Sequence, residues 1–370
     1  HNHTRLPLLI HPPAWRIRSF SSGSEHLWST DRSSAIPPRH STARELRCAA
    51  PVMEIEAEDF PLPVLAAKIL RLREDCTDRY GFGYLRGLPV ERYDYDTLTR
   101  IYWGLSRHLG DPVPQNRNGH LIGHVIDIGD DVNNVNIRLT QTAAALDFHS
   151  DACDLVGLMC LNTAMEGGES ALVSGVAVHD EMMRRDADLC HCLYEPVVVD
   201  RRGEIPAGKH PWMQIPVFMW DGTGFTGYAP LNAYIESAKR FQDAPPTSDA
   251  QRAAIRLFLD ICNDPAFALK IPFQRGDLQY VHNHLVFHAR TSYVDWPEAA
   301  LKRHLMRIWL SLPEGRELHP ALAERWVNIA RGTVRRHLRI VLVSRGASAP
   351  SSLHPKVLKH IQKYPKTPMA

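Results

Sequence analysis

Three stretches of the chain carry hydrophobic residues at helical spacing. They cover residues 63–80, 95–109 and 248–262, and a glycine directly follows each of the first two. Side chains three and four positions apart share one face of a helix, and glycine is common just past a helix end. These stretches therefore predict three helices that pack outside a core. Their apolar faces are Leu65, Ile69, Leu72 and Cys76, then Leu98, Ile101, Tyr102, Leu105 and Leu109, then Ile255, Leu259 and Cys262.

From about residue 135 the pattern changes to short apolar segments separated by Gly, Pro and Asp. Several short strands punctuated in this way are typical of a β-sandwich or barrel. We therefore expect one mainly β domain of the α+β kind, with helices packed on its outside. The predicted strands are Val156–Leu161, Ala171–Val173, Ile215–Met219, Phe267–Ile271, Leu278–Val281 and His304–Leu312.

The two ends of the chain differ from the middle. Residues 1–52 are rich in Ser, Arg and Pro and precede the first methionine, Met53. Two interpretations stay open: a transit peptide, which would place the protein in mitochondria, or a translated region outside the native protein. We expect the folded domain at 53–335 and a tail at 336–370.

Composition narrows the classes of partner. The 43 Lys and Arg residues balance 41 Asp and Glu residues, so no global charge favours nucleic acid or an anionic membrane. No apolar run reaches the roughly 20 residues of a spanning helix. The seven scattered cysteines fit reduced thiols in a cytoplasmic protein better than a disulfide framework. Cys190 and Cys192 lack the second pair that a zinc finger needs. A small-molecule substrate is expected, and association between copies of the chain stays open.

His149 and Asp151 form the first candidate metal site. Residues two apart in an extended chain point to the same face, so both side chains can reach one ion. With 20 histidines and 41 acids, about two His-x-acid matches arise by chance. The second match, His179-Asp180-Glu181, lies where a helix is expected to start. Two helical residues at that spacing diverge, so we interpret His179 as a surface or capping residue.

A second cluster of histidines spans residues 281–291. His282 and His284 alternate with apolar neighbours, His288 is set between Phe287 and Ala289, and spacing alone does not choose among the three. Further along, Arg307 sits within the apolar segment His304–Leu312. A guanidinium in a buried strand needs an anion, either a protein carboxylate or the carboxylate of a bound co-substrate.

Five motifs occur in an order that resembles the TauD/TfdA family of dioxygenases. They are Gly81-Phe82-Gly83-Tyr84, His149-x-Asp151, Gly167-Gly168-Glu169-Ser170, His288-Ala289-Arg290-Thr291 and Arg303-His304-Leu305-Met306-Arg307. The resemblance covers about residues 60–330. It implies a double-stranded β-helix, or jelly roll, with flanking helices. It also implies a dioxygenase that uses Fe(II), 2-oxoglutarate and O2, and hydroxylates an unactivated C–H while releasing succinate and CO2.

The resemblance also assigns roles to residues. His288 becomes the third iron ligand beside His149 and Asp151. Arg307 is expected to bind 2-oxoglutarate with help from Ser170, and Arg303 is the alternative anchor. The remaining expected contacts are Arg290 and Asn283 behind the ligands and Asn118, His120 and Arg138 in a loop toward the substrate.

Two other functions use the same residues. A zinc hydrolase would work without dioxygen, and a jelly-roll binding protein would bind metal or ligand without turnover. Neither needs Arg307, so both are disfavoured. The polar loop 115–142 favours a small polar or charged metabolite as substrate, while the identity of that metabolite and the choice between hydroxylation, desaturation and cyclisation stay open.

Overall fold

The computed structural model describes residues 51–116, 118–130, 139–222 and 224–334. The expected N-terminal extension and C-terminal tail, apart from residues 51 and 52, lie outside these ranges, as does Arg138 of the expected substrate loop. All statements below concern the described residues.

Helices and strands occupy the following positions. The helices are α1 (Ala66–Glu74), α2 (Tyr95–Arg107), α3 (Gly175–Arg185), α4 (Ala187–Cys192), α5 (Asn232–Ser237) and α6 (Asp249–Asn263). The strands are β1 (Phe82–Leu85), β2 (Asp111–Val113), β3 (Ile122–Val125), β4 (Leu146–His149), β5 (Leu155–Asn162), β6 (Glu166–Gly167), β7 (Ser170–Ser174), β8 (Val197–Asp200), β9 (Trp212–Ile215), β10 (Phe218–Trp220), β11 (Phe225–Gly227), β12 (Leu269–Ile271), β13 (Leu278–His282), β14 (Val286–Arg290), β15 (Tyr293–Val294) and β16 (His304–Ser311).

Two antiparallel sheets dominate the fold. The larger has the order β1-β13-β5-β16-β2, with β3 also paired to β16, and the smaller has the order β12-β7-β14-β4. Three further pairs, β10-β11, β15-β6 and β8-β9, lie at their margins. This arrangement confirms the expected mainly β architecture with flanking helices.

The central strand β16 separates two environments because its side chains alternate. Met306, Ile308 and Leu310 pack into the same buried cluster as residues of α1 and α2. Leu305, Arg307 and Trp309 point to the other face, between the sheets. Burial of an aliphatic side chain of this size contributes about 1.5–3 kcal/mol, so the apolar face holds the strand in register. The alternation predicted from the sequence is confirmed.

The predicted helices begin where the sequence offers capping groups. Asp94 accepts a hydrogen bond from the backbone N of Thr97 at 2.8 Å at the start of α2. Ser248 caps α6 in a reciprocal arrangement with Gln251. Side-chain oxygens at these positions satisfy backbone N–H groups that have no partner in the first turn.

The structure corrects three expectations. The segment Ile215–Met219 is divided between β9 and β10, because Pro216 has no N–H to donate to a ladder. Helices α4 and α5 were not expected. His179 is buried rather than on the surface, since Tyr194 and Phe218 pack around its ring and Tyr194 Oη lies 2.9 Å from its Nε2.

The described cysteines are all free thiols, five of them buried and Cys192 partly buried. Within these same ranges, no helix is both long enough and apolar enough to cross a membrane.

Candidate metal centre and its two cavities

Three side chains converge between the two sheets. His149 ends β4, Asp151 follows two residues later, and His288 lies on β14 directly opposite His149 in the strand register. Their candidate ligand atoms all lie within 4.8 Å of one another, and the two imidazole centroids are 4.3 Å apart. The strand pairing therefore brings His288 together with His149 and Asp151, which precede it by 139 and 137 positions.

The contacts of the two histidines indicate which ring nitrogen of each faces the shared metal position. Nδ1 of His149 donates to the carbonyl oxygen of Asp147 at 2.8 Å, which leaves Nε2 free to bind a metal. Nε2 of His288 lies 3.9 Å from Oδ2 of Asp151, while its buried Nδ1 has no hydrogen-bond partner among the described residues. Both rings therefore present Nε2 toward the shared position.

Asp151 is held in place from three sides. Arg307 Nη1 lies 3.2 Å from Oδ2, and the indole Nε1 of Trp309 donates to the same oxygen at 3.1 Å. The backbone N of Asp151 donates to Oδ1 of Asn283 at 3.0 Å. Arg307 is itself fixed by Gln115, whose Oε1 accepts from Arg307 Nε at 2.8 Å. The carboxylate is thus oriented before any ligand binds.

The protonation states of the triad suit a metal. Burial alone would raise the pKa of Asp151, but the charges of Arg307 and the two histidines outweigh it and lower that pKa to about 2. Burial lowers the pKa of His288 to about 3 and also lowers the pKa of His149. At neutral pH the site therefore offers one carboxylate and two neutral imidazoles.

Two other candidate histidines, His284 and His179, contact side chains outside the triad. His284 Nε2 lies 2.8 Å from Oδ1 of the fully buried Asp154, and His179 contacts Tyr194 and Asp180. In the described part of the chain, the group of His, Cys, Asp and Glu close enough to share an ion is His149, Asp151 and His288. The structure thus places His288, and not His282 or His284, beside the other two candidate ligands.

A first cavity, here the inner cavity, lies between the sheets on one side of the triad. Its walls are mostly apolar, and its polar groups beside the triad are Thr140, Ser170, Arg290, Arg303 and Arg307. Arg303 donates from Nη2 to the carbonyl oxygen of Gly168 at 3.1 Å, and Arg290 donates from Nη2 to the carbonyls of Thr142 and Ala144. The Ser170 hydroxyl donates to Oε1 of Gln279 at 2.9 Å.

Several donors in the inner cavity have no partner. Arg303 Nη1 and the Nε and Nη1 atoms of Arg290 are buried without a hydrogen bond to any described residue. Burial lowers the pKa of Arg303, and burial together with the nearby charge of Arg303 lowers the pKa of Arg290 to about 10. Buried cations of this kind are costly unless an anion meets them. The inner cavity is therefore suited to a carboxylate.

The glycine pair of the third motif has a structural reason here. Gly168 has φ +72°, and a Cβ there would lie 2.8 Å from Nε of Arg303. A Cβ on Gly167 would meet the carbonyl oxygen of Ser292 at 2.3 Å. The two glycines thus leave room for the Arg303 side chain and for the adjoining strand.

A second cavity, here the outer cavity, opens on the other side of the triad. His149, Asp151 and Arg307 line both cavities, so the triad stands between them. The rest of the outer cavity is formed mostly by turns and helices, and its polar residues include Arg202, Glu204, Tyr228, Tyr234 and Arg325. The sequence analysis singled out none of these, because isolated turn residues produce no periodic pattern.

The loop expected to reach the substrate is only partly described. Asn118 is exposed, and its backbone N donates to Oδ1 of Asn116 at 3.0 Å. His120 is partly buried, with Nδ1 3.0 Å from Nδ2 of Asn116. Neither residue lines the inner or the outer cavity, whereas near the end of the loop Leu139 lines the outer cavity and Thr140 lines both.

The residues of the triad fit an iron ion. Two imidazoles and one carboxylate on one side leave further coordination positions open, as in non-haem Fe(II) oxygenases. The convergence of the two Nε2 atoms on Asp151 and the orientation of that carboxylate by Arg307, Trp309 and Asn283 are consistent with a site prepared for a cation.

Residues 46–309 match the family described as taurine catabolism dioxygenase TauD, TfdA family. The FR-33289 synthase of Streptomyces rubellomurinus is 27% identical over 281 residues, which are 74% of this chain and 82% of that protein. A taurine hydroxylase-like protein, SAT17, of Stachybotrys chartarum is 25% identical over 263 residues, 69% of this chain and 67% of that protein.

A solved structure of asparagine oxygenase with Fe(II), hydroxyasparagine and succinate has a similar fold. The TM-score is 0.53 at 18% identity, and the match covers 69% of this chain and 81% of that one. The likeness agrees with the jelly-roll architecture expected from the motifs.

Proposed function

The chain belongs to the taurine catabolism dioxygenase TauD, TfdA family and is a 2-oxoglutarate-dependent dioxygenase, and from this premise we propose that it hydroxylates a small polar or charged metabolite at iron held by His149, Asp151 and His288. The observation that carries the proposal is the position of this buried triad between two cavities of different character. We also propose that residues 53–335 form the catalytic unit.

Bound iron and 2-oxoglutarate supply the oxidative chemistry, in which decarboxylation to succinate and CO2 accompanies activation of O2. The protein supplies ligands, orientation and exclusion of water. His149 and His288 offer neutral nitrogen atoms, and Asp151 offers an ionised oxygen. Arg307 and Trp309 keep that oxygen aligned, so the ligand set needs little reorganisation when the metal enters.

The unpartnered guanidinium atoms indicate how 2-oxoglutarate is held. The sequence favoured Arg307 as anchor for its distal carboxylate, with Arg303 as the alternative. Arg307 already donates from Nη1 to Asp151 and from Nε to Gln115. Arg303, in contrast, has a buried Nη1 without a hydrogen-bond partner among the described residues. We therefore assign the distal carboxylate to Arg303, with Ser170 and Arg290 beside it, and assign Arg307 to the positioning of Asp151.

The outer cavity is left for the substrate. It borders His149 and Asp151, so a molecule bound there presents a C–H close to the metal. Its polar walls support a small polar or charged metabolite. Taurine and asparagine appear in the names of the similar proteins, which is consistent with substrates of this size.

The test is a panel of amino acids, sulfonates, betaines and aryloxyacids incubated with Fe(II), 2-oxoglutarate and 18O2. We expect at least one compound to raise succinate formation, with label in succinate and in a hydroxylated product. Product that forms without oxygen uptake contradicts the proposal and favours hydrolysis. Zinc in place of Fe(II) is the matched control and should give no product.

A further inference from the structure

One of the five sequence motifs, Gly81-Phe82-Gly83-Tyr84, contributes no side chain to the metal triad or to the inner and outer cavities. Its last residue, Tyr84, lies on β1, and the centroid of its ring is 6.1 Å from that of Phe273. Phe273 lies in the turn between β12 and β13 and lines the inner cavity. The motif therefore reaches the inner cavity through a neighbouring ring.

Phe273 lies where the chain passes from one sheet to the other. Strand β12 is the edge strand of the smaller sheet and β13 belongs to the larger sheet, so the turn between them connects the two. Phe273 is partly exposed, and it packs against the buried cluster of Val125, Cys160 and Leu305. It is the one phenyl ring among the described residues that line the inner cavity. Phe273 therefore borders both this cavity and solvent.

The cluster that contains Leu305 indicates which part of the inner cavity Phe273 borders. Arg303, Leu305 and Arg307 occupy alternate positions on β16 or directly before it, and all three line the inner cavity. Leu305 thus lies between the arginine that we assign to the distal carboxylate and the arginine that contacts Asp151. The part of 2-oxoglutarate between its two ends consists of methylene groups, which are stabilised by apolar surroundings. Leu305 and Phe273 supply such surroundings.

The turn that carries Phe273 is held by a buried carboxylate. Oδ2 of the fully buried Asp277 accepts hydrogen bonds from the backbone N of Gln274, at 2.7 Å, and from the hydroxyl of Tyr84. Nε of Arg86 lies 3.2 Å from Oδ1 of Asp277, and the guanidinium carbon of Arg86 lies 5.3 Å from the ring centroid of Tyr84. One carboxylate therefore fixes both the residue after Phe273 and the tyrosine next to it.

On the basis of the proposed function, we propose that Phe273 covers the methylene groups of 2-oxoglutarate in the inner cavity and limits the length of the 2-oxo acid that fits. Tyr84 is a positioning residue, because it acts on the co-substrate through Phe273. The ring of Phe273 buries methylene surface and keeps water away from Arg303, and exclusion of water strengthens the attraction between a guanidinium and a carboxylate. A longer 2-oxo diacid that is held at both ends must bend into the space that the ring occupies.

The experiment uses the full chain loaded with Fe(II) without oxygen, and calorimetric titration of 2-oxoglutarate and of 2-oxoadipate, which is longer by a methylene. The parent should bind 2-oxoglutarate at least about tenfold more tightly, since a methylene changes binding in a closed apolar pocket by roughly 10–200-fold. Phe273→Ala should weaken 2-oxoglutarate binding by at least about tenfold and reduce the preference over 2-oxoadipate to less than about threefold. Iron affinity, titrated separately, should not change.

Tyr84→Phe tests the positioning role, since it keeps the ring and removes the hydrogen bond to Asp277. The preference for 2-oxoglutarate should fall by about threefold. Tyr80→Phe is the matched control, because Tyr80 is exposed and does not line the inner cavity, and should leave the preference unchanged. Arg275→Gln controls for disturbance of the turn. Arg275 is exposed outside the cavity, so its loss should change 2-oxoglutarate affinity by less than about twofold.

Phe273→Leu keeps part of the apolar bulk and should retain part of the preference, which separates the role of the ring from a folding defect. Equal binding of the two acids by the parent overturns the inference, as does a preference that falls equally in Arg275→Gln and Phe273→Ala. Arg303→Gln distinguishes this inference from the proposed function. If Arg303→Gln loses 2-oxoglutarate while Phe273→Ala keeps its affinity and its preference, the role of Phe273 alone is overturned. If neither variant changes the binding of either acid, the placement of 2-oxoglutarate in the inner cavity is also contradicted.

Discussion

The two cavities that meet at the triad are built in different ways. Regular strands form most of the inner cavity, and its polar side chains Ser170, Arg290, Arg303 and Arg307 project from paired strands or directly precede one. Turns and helix ends form most of the outer cavity, including the positions of Arg202 and Arg325. Strand pairing fixes the first wall within the core, whereas turns can change without disturbing the core. This difference supports our proposal that the inner cavity holds 2-oxoglutarate and the outer cavity holds the substrate.

The largest expected effect is the loss of iron affinity when a ligand of the triad between the cavities is removed. His288→Ala should lower iron affinity by at least about a hundredfold, because a direct ligand is lost where even supporting contacts contribute tenfold to a hundredfold. His284→Ala is the contrasting variant and should retain iron binding, since His284 contacts Asp154 instead. Iron titration by calorimetry measures both. Retention of iron in the first variant and its loss in the second would falsify the ligand assignment.

Because His288 is buried, the free energy of unfolding should depend on pH. The pKa of His288 falls from 6.5 to about 3 in the folded chain. As the pH drops below 6.5, the unfolded chain binds a proton that the folded chain does not, so the free energy of unfolding decreases. The decrease between pH 6.5 and 5 should be roughly 2 kcal/mol.

Urea denaturation of the metal-free protein at several pH values measures this slope. His288→Gln is the control, and its slope over the same range should be shallower. Asp151, with its pKa lowered to about 2, adds stability above pH 3.8 that is lost only at more acid pH. An identical slope in parent and variant would show that His288 titrates normally.

Substitutions of the two arginines in the inner cavity should affect 2-oxoglutarate binding and iron binding differently. Arg303→Gln should weaken 2-oxoglutarate binding by at least about tenfold, because a buried charge-assisted bond is lost. Arg307→Gln should weaken it less and should instead reduce iron affinity through the loss of support for Asp151. Titration of each ligand alone against each variant distinguishes these effects. If Arg307→Gln causes the larger loss of 2-oxoglutarate, the anchor is Arg307.

The smallest expected effect concerns the glycine beside Arg303. Gly168→Ala places a methyl group 2.8 Å from the present position of Nε and requires an unfavourable positive φ. The strain costs roughly 1–2 kcal/mol, and displacement of Arg303 should weaken 2-oxoglutarate binding severalfold. Substrate binding in the outer cavity should not change. Thermal unfolding and separate titrations of 2-oxoglutarate and substrate test this, and a variant with weakened substrate binding alone would contradict it.

The difference between strands and turns also explains which features of the structure could be predicted from the sequence. The triad, Arg303 and Arg307 lie on or beside strands whose alternating pattern is visible in the chain, and β16 follows that alternation residue by residue. The division of Ile215–Met219 depends on Pro216, which interrupts the strand although it lies within an apolar run. The burial of His179 depends on Phe218 and Tyr194, which come from other elements and leave no local trace.

Arg202 and Arg325 were beyond sequence reasoning for a related reason. A turn has no repeating spacing, and the two residues are 123 positions apart. Arg201-Arg202-Gly203 does contain a doubled arginine before a glycine. Only the structure shows that the first arginine pairs with Glu324 while the second lines the cavity.

The most direct test of the account is a crossed titration of two variants with two ligands. We predict that Arg303→Gln loses affinity for 2-oxoglutarate and keeps its affinity for the substrate that the compound panel identifies. Arg202→Gln should do the reverse. Both ligands are titrated against the iron-loaded parent and variants without oxygen. If each variant loses both ligands equally, or if Arg202→Gln loses 2-oxoglutarate and retains the substrate, the assignment of 2-oxoglutarate to the inner cavity and of the substrate to the outer cavity is contradicted.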